Sequence, residues 1–287
     1  EQYLGSDNTL VDTDGDLLPD GYELYDTYTN PLKWDTDDDG ISDGEKDFDD
    51  DGLTNYEEFL AETKPYYYDT DFDNLSDGDE ININFTNPLN KDSDKDGLDD
   101  DDELVLGTDP LNPDTNGNGI LDGKEKFQQT YVHEVLNEDC AVSEVSVSMN
   151  ATGNLQKTME IRSVMGIDVL SSEVVGLVGE PFDITTTSEF DSATISFKVD
   201  KEKLGEATID NLIFLWYDEE NRVYREMETV IDSENNTVST TTTHFSTYML
   251  VDSLKWFEAW RNAPDYSDYV KNADLDMVLA IDVSGSM

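Results

Sequence analysis

The segment DSDKDGLDDDDE, Asp92 to Glu103, decides how the first part of the chain is read. Carboxylates stand at its first, third, fifth, ninth and twelfth positions, glycine at the sixth and leucine at the seventh. The same 12-residue pattern, D-x-D-x-D-G-[LI]-x-D-x-x-E, recurs with variations from Asp12, Asp35, Asp47, Asp69 and Asp114. In chain order the six starts are separated by 23, 12, 22, 23 and 22 residues. Pro31, Pro65, Pro88 and Pro110 each precede a loop start by four residues, and Asn8 takes that place before Asp12. Asn30, Asn87 and Asp109 come before three of those prolines, which favours a turn there. A disordered acidic tail needs no register, so a repeat this regular points to a built structure.

The chemistry that explains the spacing is calcium binding. Calcium takes six to eight oxygens at about 2.3–2.6 Å, and a chain wrapped around it presents carboxylates at alternate positions. The sixth position makes the sharp turn, which accounts for Gly40, Gly52, Gly97 and Gly119. The seventh gives a backbone carbonyl and turns its aliphatic side chain inward. The twelfth supplies a glutamate able to bind through both oxygens. Complete sets are Asp47, Asp49, Asp51, Asn55 and Glu58, and Asp92, Asp94, Asp96, Asp100 and Glu103. Asp12, Asp14, Asp16, Asp20 and Glu23 form another, with Leu17 where glycine is expected. Asp69, Asp71, Asp73, Asp77 and Glu80 form a fourth, with Asn74 at the turn, a residue that tolerates the left-handed region. Asp114, Asn116, Asn118, Asp122 and Glu125 have two amides for carboxylates and should bind more weakly. Asp35, Asp37, Asp39 and Asp43 are followed by Lys46 at the twelfth position. There Asp47 is expected to serve this ion and the next together, with Lys46 leaning outward.

Of 68 acidic and 17 basic side chains in 287 residues, 39 and 7 fall within residues 1–130. So negative a chain repels phosphate, which excludes a nucleic-acid partner. Cys140 is the single cysteine, so no internal disulfide forms. No apolar run approaches the roughly 18 residues of a transmembrane helix. The sequence opens in mid-pattern: Glu1 aligns with Glu103 and Gly5 with Gly107, which puts Glu1 at the last position of an earlier loop. The chain is therefore expected to be a piece of a longer secreted or cell-surface protein.

A period of 22–23 residues leaves only about ten residues between loops, too few for the paired helices of an EF-hand. A dockerin-like module has this spacing but two loops. Residues 1–125 resemble thrombospondin type 3 repeats of the cysteine-free bacterial kind. The resemblance rests on DTDDDGISDG, DFDDDGLTNYEE, DSDKDGLDDDDE and the spacers Thr29–Leu32, Thr86–Leu89 and Thr108–Leu111. It implies an extended assembly around a line of calcium ions with little ordinary core.

After Gly123 aspartate thins out, while Val, Ile, Thr, Ser and Phe rise. Residues 126–140 read as a linker, in the form of a short strand or helix. From Ala141 alternation begins: Val145, Val147 and Met149 share one face, Glu144, Ser146 and Ser148 the other. FDITTTSEF, ATISFKVD, NLIFLWYDEE, RVYREMETVI and TVSTTTTHFSTYMLV follow. Turns are signalled at Asp200–Lys203, Glu219–Asn221 and Ser233–Asn236. Residues 141–252 thus read as an antiparallel β-sandwich, its core holding Phe182, Phe197, Phe214 and Trp216. His133 reads as a surface or packing residue and Cys140 as a small buried one.

His244-Phe245-Ser246 places a base and a nucleophile around one peptide bond. On alternation alone Phe245 points inward and its neighbours face solvent. The stretch containing it resembles the β-sandwich module of ankyrins and netrin receptors, some members of which cut themselves at an HFS site. The resemblance implies Ser246 as nucleophile, His244 as base and Phe245 as donor of the scissile carbonyl, in an N-to-O acyl shift. No turnover enzyme is expected.

Residues 253–273 read as a linker opening with a short helix whose Trp256, Phe257 and Trp260 dock on the sandwich. Residues 274–287 end in Asp282-Val-Ser284-Gly-Ser286 and resemble the first strand of a von Willebrand factor A domain, truncated here. The resemblance implies Asp282, Ser284 and Ser286 as ligands of a magnesium or manganese ion, with a protein or surface ligand as partner of the missing adhesion domain. The expected fold class is mainly β with irregular regions: an Asp-rich calcium-loop array with short helical turns, then the sandwich. The expected function is a calcium-stiffened stalk of an adhesion-type protein. The alternative is a purely structural spacer with an inert sandwich.

Overall fold

The computed structural model describes residues 11–164, 174–221 and 223–261. The chain divides into two units, Glu1–Lys124 and Glu125–Met287.

In the first unit every acidic loop ends in a short helical turn that starts at the loop's ninth position. These turns are Asp20–Tyr22 running into Glu23–Thr27, Asp43–Glu45, Asn55–Ala61, Asp77–Asp79 running into Glu80–Asn84, Asp100–Leu106 and Asp122–Lys124. The eighth position caps several of them: Ser42, Thr54 and Ser76 side chains accept backbone N–H groups of the first turn, and Thr54 with Glu57 completes a capping box. Tyr28, Glu62, Phe85 and Gly107 close the longer turns in the left-handed region. The spacer prolines that follow, Pro31, Pro65, Pro88 and Pro110, are buried.

The second unit is mainly β. Its strands are β1 (Phe127–Glu134), β2 (Val142–Ala151), β3 (Met159–Ser163), β4 (Leu177–Thr186), β5 (Phe190–Val199), β6 (Leu212–Asp218), β7 (Val223–Glu226), β8 (Val230–Asp232), β9 (Thr237–Thr242) and β10 (Thr247–Asp252). They form two antiparallel five-stranded sheets, ordered β1-β2-β5-β9-β8 and β3-β4-β10-β6-β7. Val145, Val147, Ile195 and Phe197 of the first sheet share one core with Phe182, Ile184, Phe214 and Leu250 of the second. Phe197 meets Phe182 and Phe214 edge-on, with ring centroids 5.3 and 4.8 Å apart.

Three sequence expectations change here. The segment 126–140, read as a linker, supplies β1, paired with β2 along its whole length from Phe127 opposite Ala151 to Glu134 opposite Glu144. Trp216 is only partly buried at the edge of the core. In the helix Ser253–Arg261, Trp256 is buried against Tyr224, Met249 and Val251, whereas Phe257 is exposed. Cys140 is buried, and His133 is half-buried with its ring near Phe182. Among the described residues no helix is long and apolar enough to cross a membrane.

Candidate metal centres

Each loop is closed by its own carboxylates before any ligand is considered. The first-position aspartate accepts backbone N–H groups across the turn: Asp92 from Lys95 and Gly97, Asp69 from Phe72 and Asn74, Asp12 from Gly15 and Leu17. Asp35, Asp47 and Asp114 accept the N–H of Gly40, Gly52 and Gly119 in the same way. The ninth-position aspartate is held by the second residue. Thr13, Thr36, Thr70 and Ser93 donate both backbone N–H and hydroxyl to Asp20, Asp43, Asp77 and Asp100. Those second-position hydroxyls were not singled out from sequence, although the recurrence of Thr or Ser there is visible.

The backbone turns twice into the left-handed region in every loop. At the sixth position φ is 93° at Gly40, 97° at Gly52, 105° at Gly97 and 91° at Gly119, and Leu17 and Asn74 follow at 84° and 82°. The departure from glycine at Leu17 therefore leaves the turn intact. The fourth position is left-handed too, at Gly15, Asp38, Asp50, Phe72, Lys95 and Gly117. Successive N–H groups in such turns converge, which is why a carboxylate sits in each.

Several of these carboxylates gather into clusters. Oxygens of Asp12, Asp14 and Asp16, of Asp35, Asp37 and Asp39, of Asp47, Asp49 and Asp51, and of Asp69, Asp71 and Asp73 lie within 4.8 Å of one another in each group. Many of the remaining oxygens are buried with no hydrogen-bond partner. They include both oxygens of Asp14, Asp49, Glu58 and Asp71, and one each of Glu23, Asp47, Asp73, Glu80, Asp94, Glu103 and Asp122. The amide oxygen of Asn55 is in the same state. Burying an ionised carboxylate without a partner costs several kcal/mol or more, and these clusters could hold a cation that offsets it. The set is all-oxygen and hard, which suits calcium.

Burial, with the repulsion of Asp49, Asp51, Asp77 and Asp47, pushes Glu58 up to about 9. The same two causes push Glu23, Glu80 and Glu103 up to about 8 and Asp73 to about 7. Asp16, Asp49, Asp71 and Asp94 rise to about 6.

The loops also interlock in pairs, which the sequence reading did not anticipate. Gly44 N–H donates to Asp16 Oδ2 at 3.1 Å, Gly78 N–H to Asp51 Oδ2 at 2.8 Å and Gly123 N–H to Asp96 Oδ2 at 2.8 Å. The tenth residue of the second loop thus binds the fifth-position aspartate of the first. Each glycine is needed for contact: a Cβ at Gly44 or Gly78 would stand 2.2 Å from the carbonyl oxygen of Asp16 or Asp51. Pairing also decides the fate of the seventh position. Leu18, Leu53 and Leu98 of the first loops are buried, but Ile41 and Ile120 of the second loops are about half exposed, contrary to the inward packing expected of them. Asp43 reaches across its pair to join Asp16 and Glu23.

Lys46 does not lean outward. Its ammonium lies 2.6 Å from Asp37 Oδ1, 3.6 Å from both Asp39 and Asp43, and 3.9 Å from Asp35. Asp47, expected to serve that loop as well, groups with Asp49 and Asp51. In the last loop Asn116 and Asn118 are exposed, and Glu125 is half-buried just beyond the turn Asp122–Lys124, within the second unit.

His244, Phe245 and Ser246 lie in the connection between β9 and β10 rather than inside a strand. Ser246 Oγ donates to the carbonyl of Tyr217 at 2.7 Å. The exposed His244 ring packs edge-on to Trp216 and is 3.3 Å from Thr242 Oγ1 through Nδ1. Phe245 stacks on Phe190. The His244 carbonyl accepts from both Thr242 Oγ1 and Tyr248 Oη, at 2.7 and 2.6 Å. The hydrogen bonds present do not join His244 to Ser246. Asp282, Ser284 and Ser286 lie outside the described residues.

No protein-family model matches this sequence, and neither a curated protein nor a solved structure shows significant similarity to it.

Proposed function

We propose that residues 11–125 bind calcium through their acidic loops and fold around it, as the stalk of a secreted or cell-surface protein of adhesion type. The observation that carries this is Glu58, fully buried with both oxygens unpartnered and surrounded by Asp47, Asp49 and Asp51. A carboxylate so placed would hold calcium with the three aspartates and Asn55. Asp14, Asp16 and Glu23, Asp71, Asp73 and Glu80, and Asp94, Asp96 and Glu103 repeat the arrangement. Calcium supplies charge neutralisation there, and its binding energy becomes folding energy. The millimolar calcium outside cells suits loops of modest affinity. Calorimetric titration checks this: calcium binds wild type, and Glu58→Gln weakens one class of site about tenfold, or ~1.4 kcal/mol. Absence of calcium uptake by wild type contradicts the reading.

The two sheets are read as a β-sandwich, supported by the core that strands of both share. A self-cleaving role for it is the second reading, and the clamped His244 carbonyl favours it. Two hydroxyls fix the chain immediately before the Phe245–Ser246 bond, and Tyr217 fixes Ser246 after it. Ser246 Oγ would attack the Phe245 carbonyl carbon, its proton passing to His244. The C–N bond breaks as the ester forms, and the freed amine takes up the proton. Water then hydrolyses the ester to a Phe245 carboxylate. His244 must first turn from Trp216 toward Ser246. The product would stay assembled, because β10 lies between β4 and β6. Denaturing intact mass reads the outcome: two fragments in wild type and one chain in Ser246→Ala support cleavage. One chain in both leaves an inert sandwich on a calcium spacer. An adhesion domain beginning near residue 274, with Asp282, Ser284 and Ser286 on a magnesium or manganese ion and a protein or surface ligand as partner, completes the proposed protein.

A further inference from the structure

The loop from Asp35 is built differently from its five neighbours. Its twelfth residue is Lys46, whose side chain is 11% exposed and whose ammonium is within 4 Å of Asp35, Asp37, Asp39 and Asp43. These are the four carboxylates that would otherwise face an ion. One ligand is missing from the loop as a calcium site, because a cation replaces the bidentate glutamate, while Asp43 also lies with Asp16 and Glu23 of the neighbouring loop. The other five loops each hold at least one buried oxygen without a partner, at Asp14, Glu58, Asp71, Asp94 and Asp122 among others, whereas Asp37 and Asp39 of this loop are exposed and face the Lys46 ammonium.

We propose that Lys46 is the resident cation of this loop: its ammonium takes the place of calcium and closes the turn without metal, beside Asp43, which also faces the adjoining site. The inference rests on the calcium reading of the other loops. A tethered ammonium needs no ion from solution, so this loop stays closed when calcium is withdrawn. It also sits between the first loop and the third: Asp43 joins Asp16 and Glu23, while the Asp43 carbonyl accepts Asn55 Nδ2 at 2.7 Å. It would therefore keep two calcium sites partly assembled in the metal-free chain.

Native mass spectrometry at saturating calcium counts bound ions and tests this on the whole chain. Lys46→Glu restores the twelfth-position ligand and is expected to bind one ion more than wild type. Asp37→Asn in the wild-type background is expected to leave the count unchanged, since no ion depends on that loop. The inference is overturned if Lys46→Glu binds the same number as wild type, or if Asp37→Asn loses one. Wild type that binds no calcium overturns both this inference and the reading it rests on. Wild type that binds calcium while either variant departs from expectation overturns only the role of Lys46.

Discussion

The two units solve the problem of chain collapse with opposite materials. In the first, Leu18, Leu53 and Leu98 are the only fully buried aliphatic or aromatic side chains among the described residues, beside four buried prolines. What fills its interior is carboxylate: Asp20, Asp43, Asp77, Asp100, Glu23, Glu58, Glu80 and Glu103 are all buried. In the second, Val145, Val147, Phe182, Phe197, Phe214, Leu215 and Leu250 are sealed from solvent between paired strands. Apolar surface gains by leaving water at about 25 cal/mol per Å² whatever the solution holds. Buried carboxylates repel and gain only when a cation arrives. On the proposed calcium reading, the first unit's stability depends on its solution conditions, and the second's on its apolar core.

Acidity separates the two most strongly. In chelator, the folded first unit has Glu58 near 9, Glu23, Glu80 and Glu103 near 8, and Asp73 near 7, all above their ordinary values. The folded form then binds more protons than the unfolded chain, so its stability falls as pH rises through roughly 5 to 9. Calcium competes with those protons, so its affinity rises over the same interval. Circular dichroism of the metal-free chain should show the first unit gaining structure on acidification from pH 8 to 5. A metal-free first unit equally folded at both would break the comparison.

Paired substitutions sharpen it. Phe197→Ala should cost the second unit about 3–5 kcal/mol, with or without calcium. Gly78→Ala drives a methyl group toward the Asp51 carbonyl and should cost about 1–3 kcal/mol, seen only in calcium, as a higher concentration needed for folding. Denaturant unfolding in both solutions distinguishes them. The smallest effect is expected at Leu17, exposed and left-handed at φ 84°. Leu17→Gly should relieve about 1 kcal/mol of strain and tighten the first loop's calcium binding.

Local chemistry was readable and longer-range assembly was not. The acid at alternate positions and the sixth-position turn follow from spacing, because each is decided within a dozen residues. The alternation of Val145, Val147 and Met149 likewise placed β2. Lys46 misled because its position in the pattern does not say which way a long side chain swings. Four nearby carboxylates decide that, at a distance solvent alone would not dictate. Ile41 and Ile120 are exposed because loops pair through Gly44, Gly78 and Gly123, a relation spanning 27 or 28 residues that a single 12-residue pattern does not contain. The linking segment stayed open between a strand and a helix because Phe127–Glu134 alternates between half-buried and exposed rather than between apolar and charged. The HFS tripeptide announced its residue types, but the hydroxyls of Thr242 and Tyr248 that hold its backbone come from the fold.

Hydrogen exchange of the whole chain, measured once in calcium and once in chelator at pH 8, tests the central claim most directly. The account predicts that amides of residues 11–124 are protected in calcium and, outside the loop held by Lys46, exchange far faster without it, those of Leu53 and Gly78 included. Amides of β2, β5 and β10 should keep their protection in both. Equal protection of the first unit in the two solutions would contradict it.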